Sequence, residues 1–312
     1  MSRVCYSDCY SDILLLKCFS FYLIRKKLEH AGVSFEQLDR KLSDIYNQCS
    51  DNVRLTPPTS PEMFDNDLAI LRLWRLDEFT MRDTRKDMGY FNAVITEDSA
   101  RIEKIQGWIQ SGKTPVERIP MMLENIYRIK FSIWIAKYSM GEPVSNLVMP
   151  YKQLVSEYLS SFAPELYLDS LWLLSIGILL DVDDEVFTPL ASAIGEISDD
   201  WIRNYLINSR ISSVDYKTCQ VLFEVPYLDL KKVVESSENQ VADMFKYLTA
   251  WYKGHKSAAW YDSHKRNTNT YYGYWSFESG AIAKLLMLDD SALKKSPYYP
   301  YDLVRFRRME ES

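Results

Sequence analysis

The chain has 312 residues, of which 47 % are hydrophobic and 26 % charged, with a net charge of −6, and this ordinary globular composition excludes wholesale disorder. Glycine is scarce, because the chain has only 10 glycines, about 3 % where ~7 % is usual. Tight hairpins and phosphate-binding loops need residues at positive φ, which glycine supplies. Neither GxxxxGKS/T nor GxGxxG occurs, which excludes the nucleotide-binding enzymes built on these loops. Together these features predict an all-α fold, a multi-helix bundle without a convincing sheet.

Residues 1–62 are predicted to form an extra N-terminal helical segment that ends in a proline-rich linker. Apolar periodicity indicates helices at about 12–30 and 35–49, and three prolines exclude a helix in the linker at 52–61. The apolar stretch from Ile13 to Ile24 is too short to span a bilayer, and the acids before it do not suit a signal peptide. We therefore predict a cytoplasmic location and no membrane contact.

Two of the five cysteines, Cys5 and Cys9, lie in a near-repeat with the spacing of one helical turn. A zinc site would need two further ligands, and the nearest histidine is His30. Two thiols in a reducing cytosol are the simpler interpretation. We predict no bound metal and no cofactor.

Helical signals continue almost unbroken after the linker, and no segment alternates with the period of a strand. The helix predicted over Ile119–Ser139 is apolar on nearly every face, so we expect other helices to enclose it. The other predicted helices are Thr80–Gln110, 144–160, 165–180, 188–208 with Thr188 as its N-cap, Ser237–Gly254 and Tyr271–Leu288.

Charge is unevenly distributed along the chain. From Gln153 to Ile202 there is no lysine, arginine or histidine, although this span holds ten acids, so the rest of the chain carries +4. A span that carries only negative charge attracts a basic partner and repels nucleic acid. We predict a partner-binding surface composed of Asp181, Asp183, Asp184, Glu185, Glu196, Asp199 and Asp200. The alternative is that the acids at 183–185 only cap a helix, whose N-terminus favours negative charge.

Candidate catalytic groups are few. The acids at 181–185 are of the type that binds magnesium in all-helical diphosphate enzymes, so a metal-dependent helical enzyme is the alternative function. His255 and His264 are nine residues apart, which fits no helical zinc motif, and hydrogen bonds among aromatic rings are the simpler interpretation. Glu278 lies in an apolar stripe and must find a cation or a hydrogen-bond donor, or carry a proton. Because no nucleophile and base are paired by spacing, we predict that the protein is not an enzyme.

Five stretches of the sequence recur together in one known family. Near the C-terminus they are YYGYWSFESGAIAK at 271–284, LDDS at 288–291 and PYYPYDL at 297–303. Upstream they are MRDTRKDMGYF at 81–91 and IAKYSMG at 135–141. In this order they resemble the PoNi family, immunity proteins paired with the PoNe DNase toxins of bacterial competition systems such as type VI secretion.

The resemblance covers about 81–303 and implies an all-helical, non-catalytic cytoplasmic protein that binds and neutralises a cognate PoNe-like DNase toxin. It implies two helical modules, at 63–190 and 191–312, and it gives residues 1–80 no role. Because a DNase presents basic groups to phosphates, an acidic surface that faces its DNA-binding side would inhibit it. We expect the aromatic C-terminal run itself to be structural.

Overall fold

The computed structural model describes residues 81–160, 166–211 and 216–307, all within one compact unit, Glu78–Ser312. In this part of the chain there are ten α-helices and no β-strand, so the predicted all-α fold is confirmed. The helices are α1 (Met88–Gln110), α2 (Ile119–Ser139), α3 (Val144–Ser160), α4 (Tyr167–Leu179), α5 (Asp184–Gly195), α6 (Trp201–Asn208), α7 (Glu224–Glu235), α8 (Gln240–Gly254), α9 (Phe277–Leu285) and α10 (Tyr301–Arg305). The predicted N-terminal helices, the linker and the two N-terminal cysteines lie outside the described residues.

Helices α4 and α9 pack against each other at the centre of the fold. Gly280 on α9 allows the residue before α10 to approach closely, because a Cβ atom there would lie 2.6 Å from Pro300 Cγ; it would also lie 3.3 Å from Leu179 Cδ2 on α4. A Cβ atom at Gly177 would lie 2.6 Å from the Tyr151 hydroxyl oxygen. Burial of the surrounding apolar side chains is the main force that stabilises such a core.

Helices α1 and α2 pair as a hairpin that has a second, smaller core of its own. This core consists of Ile102, Ile105, Ile126 and Ile129. The expectation that α2 is enclosed holds for its C-terminal half, whereas Met121 and Leu123 in its first turns are exposed. None of the helices in the described ranges has both the length and the apolar character needed to cross a membrane.

The single helix predicted at 188–208 is wrong, because the structure has two helices there, α5 and α6. Asp183, and not Thr188, is the N-cap of α5, since its carboxylate accepts a hydrogen bond from the backbone N–H three residues later at 3.2 Å. Asp200 caps α6 in the same way, at 2.9 Å. The first amides of a helix lack partners within the helix, so an aspartate at each of these positions fixes where a helix begins.

The final helix predicted at Tyr271–Leu288 is also wrong, because α9 begins only at Phe277 and residues 271–276 are not helical. Gly273 has a φ of 115°, a left-handed value that favours glycine. A Cβ atom at this position would lie 1.9 Å from Ser139 Oγ, so the chain passes too close to α2 for any other residue.

The remaining predicted helices differ from the structure only near their ends. The bounds of α2 and α3 are as predicted. Helix α1 begins at Met88, where Asp87 accepts the N–H of Tyr90 at 2.7 Å, and not at Thr80. Helix α8 begins three residues after the predicted cap at Ser237.

Candidate functional site: the acidic groups around helix α5

The acids predicted to bind a partner separate into two groups at opposite ends of α5. The group at its start consists of Asp181, Asp183, Asp184 and Glu185. The group at its end consists of Glu196, Asp199 and Asp200. Because α5 has 12 residues, it separates the two groups by about 18 Å along its axis.

Cations from other segments lie against the group at the start of α5. Lys152 on α3 pairs with Asp183 at 2.5 Å between Nζ and Oδ2. Arg210 approaches Asp181 at 3.9 Å and Asp184 at 3.8 Å. The helix-capping alternative is confirmed for Asp183, which is only partly exposed, and the charge of this group is partly compensated.

In the group at the end of α5, Asp200 is structural. It is fully buried, and beyond its capping bond it accepts the backbone N–H of Leu222 at 2.9 Å and the hydroxyl of Tyr167 at 3.3 Å. A partner cannot reach a carboxylate that is enclosed in this way. The inclusion of Asp200 in the predicted surface is therefore corrected.

Three acids of the run remain open to solvent without compensation. Glu185, Glu196 and Asp199 are exposed. Within the described ranges, no lysine, arginine or histidine forms an ion pair with them. Together with Asp181 and Asp184, which are exposed beside Arg210, they are the accessible part of the predicted acidic surface.

Two further acids of the same span are compensated or enclosed. Glu157 on α3 pairs with Lys130 on α2. Asp169 on α4 is partly buried, and this burial raises its pKa to about 6, against the opposing effect of the Arg128 charge. The long acidic run in the sequence is therefore much less acidic on the folded surface.

The alternative of a magnesium site at 181–185 has no support in the geometry. Within the part of the chain that the structure describes, no group of three histidine, cysteine, aspartate or glutamate side chains could hold a metal ion. Asp183 is directed towards a backbone amide and a lysine instead. Lys152 and Arg210 lie against Asp181, Asp183 and Asp184.

Glu278 on α9 is buried among hydrogen-bond donors, which confirms its predicted environment. Its Oε1 accepts hydrogen bonds from the Tyr247 hydroxyl at 2.7 Å, the Trp251 indole N–H at 2.6 Å and the Ser276 hydroxyl at 2.7 Å. Burial and the negative charge of Glu278 raise the pKa of Tyr247 well above its usual value, so this hydroxyl remains a donor. Such a carboxylate joins α8 to α9 and has no open cleft in which to act on a substrate.

The two histidines bind aromatic partners, as their spacing predicts. Burial lowers the pKa of His255, so the ring is neutral, with Nδ1–H donating to the Trp251 carbonyl at 2.8 Å and Nε2 accepting from the Tyr227 hydroxyl at 3.1 Å. His264 Nδ1 lies 2.9 Å from the Tyr274 hydroxyl. In the described residues, neither histidine belongs to a group of side chains that could hold a metal ion.

The segment before α1 is tied to the C-terminal aromatic run. Asp83 is buried and accepts hydrogen bonds from the Tyr271 hydroxyl, from Arg85 at 3.0 Å and from the backbone N–H of Tyr274 at 3.4 Å. Arg82 pairs with Asp302. Stretches that carry the family resemblance thus bind one another in the fold.

The sequence interpretation missed an exposed apolar ridge where α7 begins. It consists of Leu222, Phe223, Val225 and Leu228. Gln220 forms an isolated parallel β-bridge with Asp200, the N-cap of α6, so the ridge lies near the start of α6. Its sequence signal is an apolar run beside Pro226 that belongs to no predicted helix.

The fold and its polar contacts define a class before any comparison: an all-α protein whose buried carboxylates are structural and whose open features are acids and an apolar ridge. Comparison with known families then gives two matches. The model of the PoNe immunity protein (PoNi) N-terminal region matches residues 82–192, and that of the PoNe immunity proteins (PoNi) C-terminal region matches residues 198–303. The chain belongs to the PoNi family of PoNe immunity proteins. The family assigns it an immunity function against PoNe toxins and a cognate toxin as its partner.

A solved structure supports the same fold. The crystal structure of protein PA2201 from Pseudomonas aeruginosa is similar with a TM-score of 0.58 and 19 % sequence identity, covering 76 % of this chain and 95 % of that one. At this identity the similarity concerns the fold alone. The comparison with curated proteins finds no match.

Proposed function

We propose that this protein neutralises a cognate PoNe-type DNase toxin in the cytoplasm by binding it, without catalysis, and that the exposed acids around α5 face the basic DNA-binding surface of the toxin. The division into helical modules at 63–190 and 191–312 is part of the same proposal. The surface consists of Asp181, Asp184, Glu185, Glu196 and Asp199.

The observation that carries this proposal is a set of exposed acids at both ends of α5, within the span from 153 to 202 that has no lysine, arginine or histidine. A nuclease must offer lysine and arginine side chains to the phosphates of DNA. Exposed carboxylates such as Glu196 and Asp199 can compete for those cations, because they have no cation of their own within the described ranges. Complementary charge across an interface also accelerates association with the right partner and disfavours acidic ones.

Inhibition tests the proposal directly. The cognate toxin is mixed with supercoiled DNA and increasing amounts of the purified full-length protein, and the remaining DNA is quantified. We expect the unmodified protein to abolish DNA cleavage at an equimolar ratio to the toxin. The double variant Glu196→Lys with Asp199→Lys should leave cleavage intact. The matched control, Glu103→Lys with Glu117→Lys, changes the net charge equally at exposed acids in α1 and in the turn before α2.

The control is expected to inhibit as well as the unmodified protein. Undiminished cleavage at a large excess of the protein would contradict the proposed function. Equal inhibition by both double variants would leave neutralisation intact but remove the acids from its mechanism.

A further inference from the structure

We infer that the apolar ridge of Leu222, Phe223, Val225 and Leu228 is the anchoring contact for the toxin, beside the acids at the end of α5. This inference rests on the proposed function and names a second part of the same interface. The exposed fractions of these side chains are 53 %, 48 %, 72 % and 39 %. Large apolar side chains that stand together in solvent mark contact surfaces more often than scattered ones do.

The ridge is held in place by two backbone hydrogen bonds and one ring contact. The backbone N–H of Leu222 donates to the buried Asp200, and the N–H of Trp201 donates to the Gln220 carbonyl at 2.7 Å. The Phe223 ring packs edge-on against Tyr167 with ring centroids 4.5 Å apart. A preformed surface loses little conformational entropy when a partner binds to it.

The packing of α7 on α8 also fixes the position of the ridge. A Cβ atom added to Gly254 would lie 2.8 Å from Pro226 Cβ, so glycine allows the two helices to approach closely there. Pro226 and Tyr227, between Val225 and Leu228, are buried, whereas Val225 and Leu228 are exposed. The exposed side chains are therefore carried by a rigid base.

The charges around the ridge indicate which kind of partner fits it. Glu224 lies within the ridge and is exposed, and the exposed Asp199 directly precedes Asp200, which forms the bridge with Gln220. The nearby cations include Lys232, which pairs with Asp229 at 2.7 Å, Lys231, which pairs with Glu235 at 2.6 Å, and the exposed Lys217. An apolar centre with a predominantly acidic rim fits a partner with apolar side chains surrounded by basic ones, as on a nuclease next to its DNA-binding surface.

The two parts of the interface are expected to act on different rate constants. Acids at the rim steer the encounter and act mainly on association. Desolvated apolar anchors act mainly on dissociation, and truncation of one commonly weakens binding by tenfold or more.

The test uses two double variants. The first carries Phe223→Ser and Val225→Ser in the ridge, and the control carries Val116→Ser and Met149→Ser, which truncate two exposed apolar side chains elsewhere. Binding to the immobilised cognate toxin is followed by biolayer interferometry, together with melting temperature and light-scattering mass. Serine suits position 225, whose backbone angles are non-helical (φ −102°, ψ 120°) directly before Pro226, so the ridge variant is expected to fold.

We expect at least a tenfold rise in Kd from faster dissociation, with association, melting temperature and mass unchanged, and no effect in the control. Unchanged dissociation from the toxin would overturn the inference, and so would loss of a dimer with toxin affinity retained, because the ridge would then bind a second copy. If the double variant melts early, Val225→Ser alone replaces it, with a rise of about threefold expected and an unchanged Kd contradicting the inference. Failure of the unmodified protein to bind the toxin would instead contradict the proposed function.

Discussion

Two regions of the molecule use carboxylates in opposite ways. In the aromatic core, Glu278 is fully buried and accepts three hydrogen bonds at one oxygen. Beyond the end of α5, Glu196 and Asp199 are exposed and have no ion-pair partner in the described ranges. A carboxylate enclosed by donors stabilises the fold, whereas one that is left open is available to a partner. Sequence position alone does not separate the two kinds.

The contrast is sharpest at two consecutive residues. Asp199 is exposed, whereas Asp200 is fully buried and bonded to the backbone of Arg203 and Leu222. A change at one should affect partner binding, and a change at the other should affect stability.

The largest expected effect is at Glu278. Glu278→Ala should lower the free energy of unfolding by about 3 kcal/mol, because it strands buried donors of Tyr247, Trp251 and Ser276. Urea denaturation measures this change. Glu278→Gln, which keeps an acceptor oxygen, should lose less. Unchanged stability of Glu278→Ala together with lost toxin inhibition would place Glu278 in the interface and contradict the comparison.

The neighbouring pair should divide stability from binding. We expect Asp200→Ala to lower the free energy of unfolding by about 2 kcal/mol, since α6 loses its cap and the N–H of Leu222 loses its acceptor. Asp199→Ala should change stability by less than about 0.5 kcal/mol and should slow association with the toxin. Thermal melts and binding kinetics on the same two variants measure both effects. Slower association in Asp200→Ala together with lower stability in Asp199→Ala would refute the division.

The sequence predicts the ends of some helices correctly and the ends of others wrongly. The bounds of α2 follow from its apolar pattern and the stop at Gly141. The start of α9 does not, because residues from Tyr271 onward continue an apolar pattern, whereas in the fold Ser139 donates a hydrogen bond to the Tyr272 carbonyl at 2.7 Å and Gly273 has a left-handed φ. The periodicity of apolar residues shows which face of a segment can be buried. Where the helix begins depends on contacts with the rest of the fold.

The candidate site was predictable only in part, because charge compensation is a property of three dimensions. The gap in positive charge between 153 and 202 is real, yet Lys152, immediately before it, and Arg210, eight residues after it, lie against the acids at the start of α5. Asp200 is buried and Asp199 is exposed, and Asp200 forms the β-bridge to Gln220, a residue far outside the acidic run. No pattern within the acidic run contains that information.

The start of α5 offers a smaller effect that sharpens the comparison. Asp183→Lys with Asp184→Lys should lower the free energy of unfolding by about 1 kcal/mol, because the cap and the ion pair with Lys152 are lost. Its association with the toxin should slow less than that of the double reversal at Glu196 and Asp199. Melting temperature and association rate on the same samples provide the comparison, and a larger slowing at the start of α5 would contradict it.

The smallest effect concerns the pH dependence of Asp169. Since burial raises its pKa to about 6, the neutral form is favoured in the folded state, and the associated stability is lost as the pH rises through 6. Asp169→Asn should therefore gain stability relative to the unmodified protein between pH 5 and pH 8, followed as the difference in melting temperature. A difference that is constant with pH would show that burial does not perturb this carboxyl group.

The central claim is that the open acids at the end of α5 meet a basic toxin surface, and the association rate constant tests it most directly. It is measured by stopped-flow fluorescence over a series of salt concentrations. For Glu196→Lys with Asp199→Lys we predict a fall of about tenfold at low salt that shrinks as salt is raised. For Glu103→Lys with Glu117→Lys, which changes the net charge equally, we predict a change of less than about twofold, since steering depends on charges near the interface. Equal slowing in both variants, or none in the first, would contradict the account.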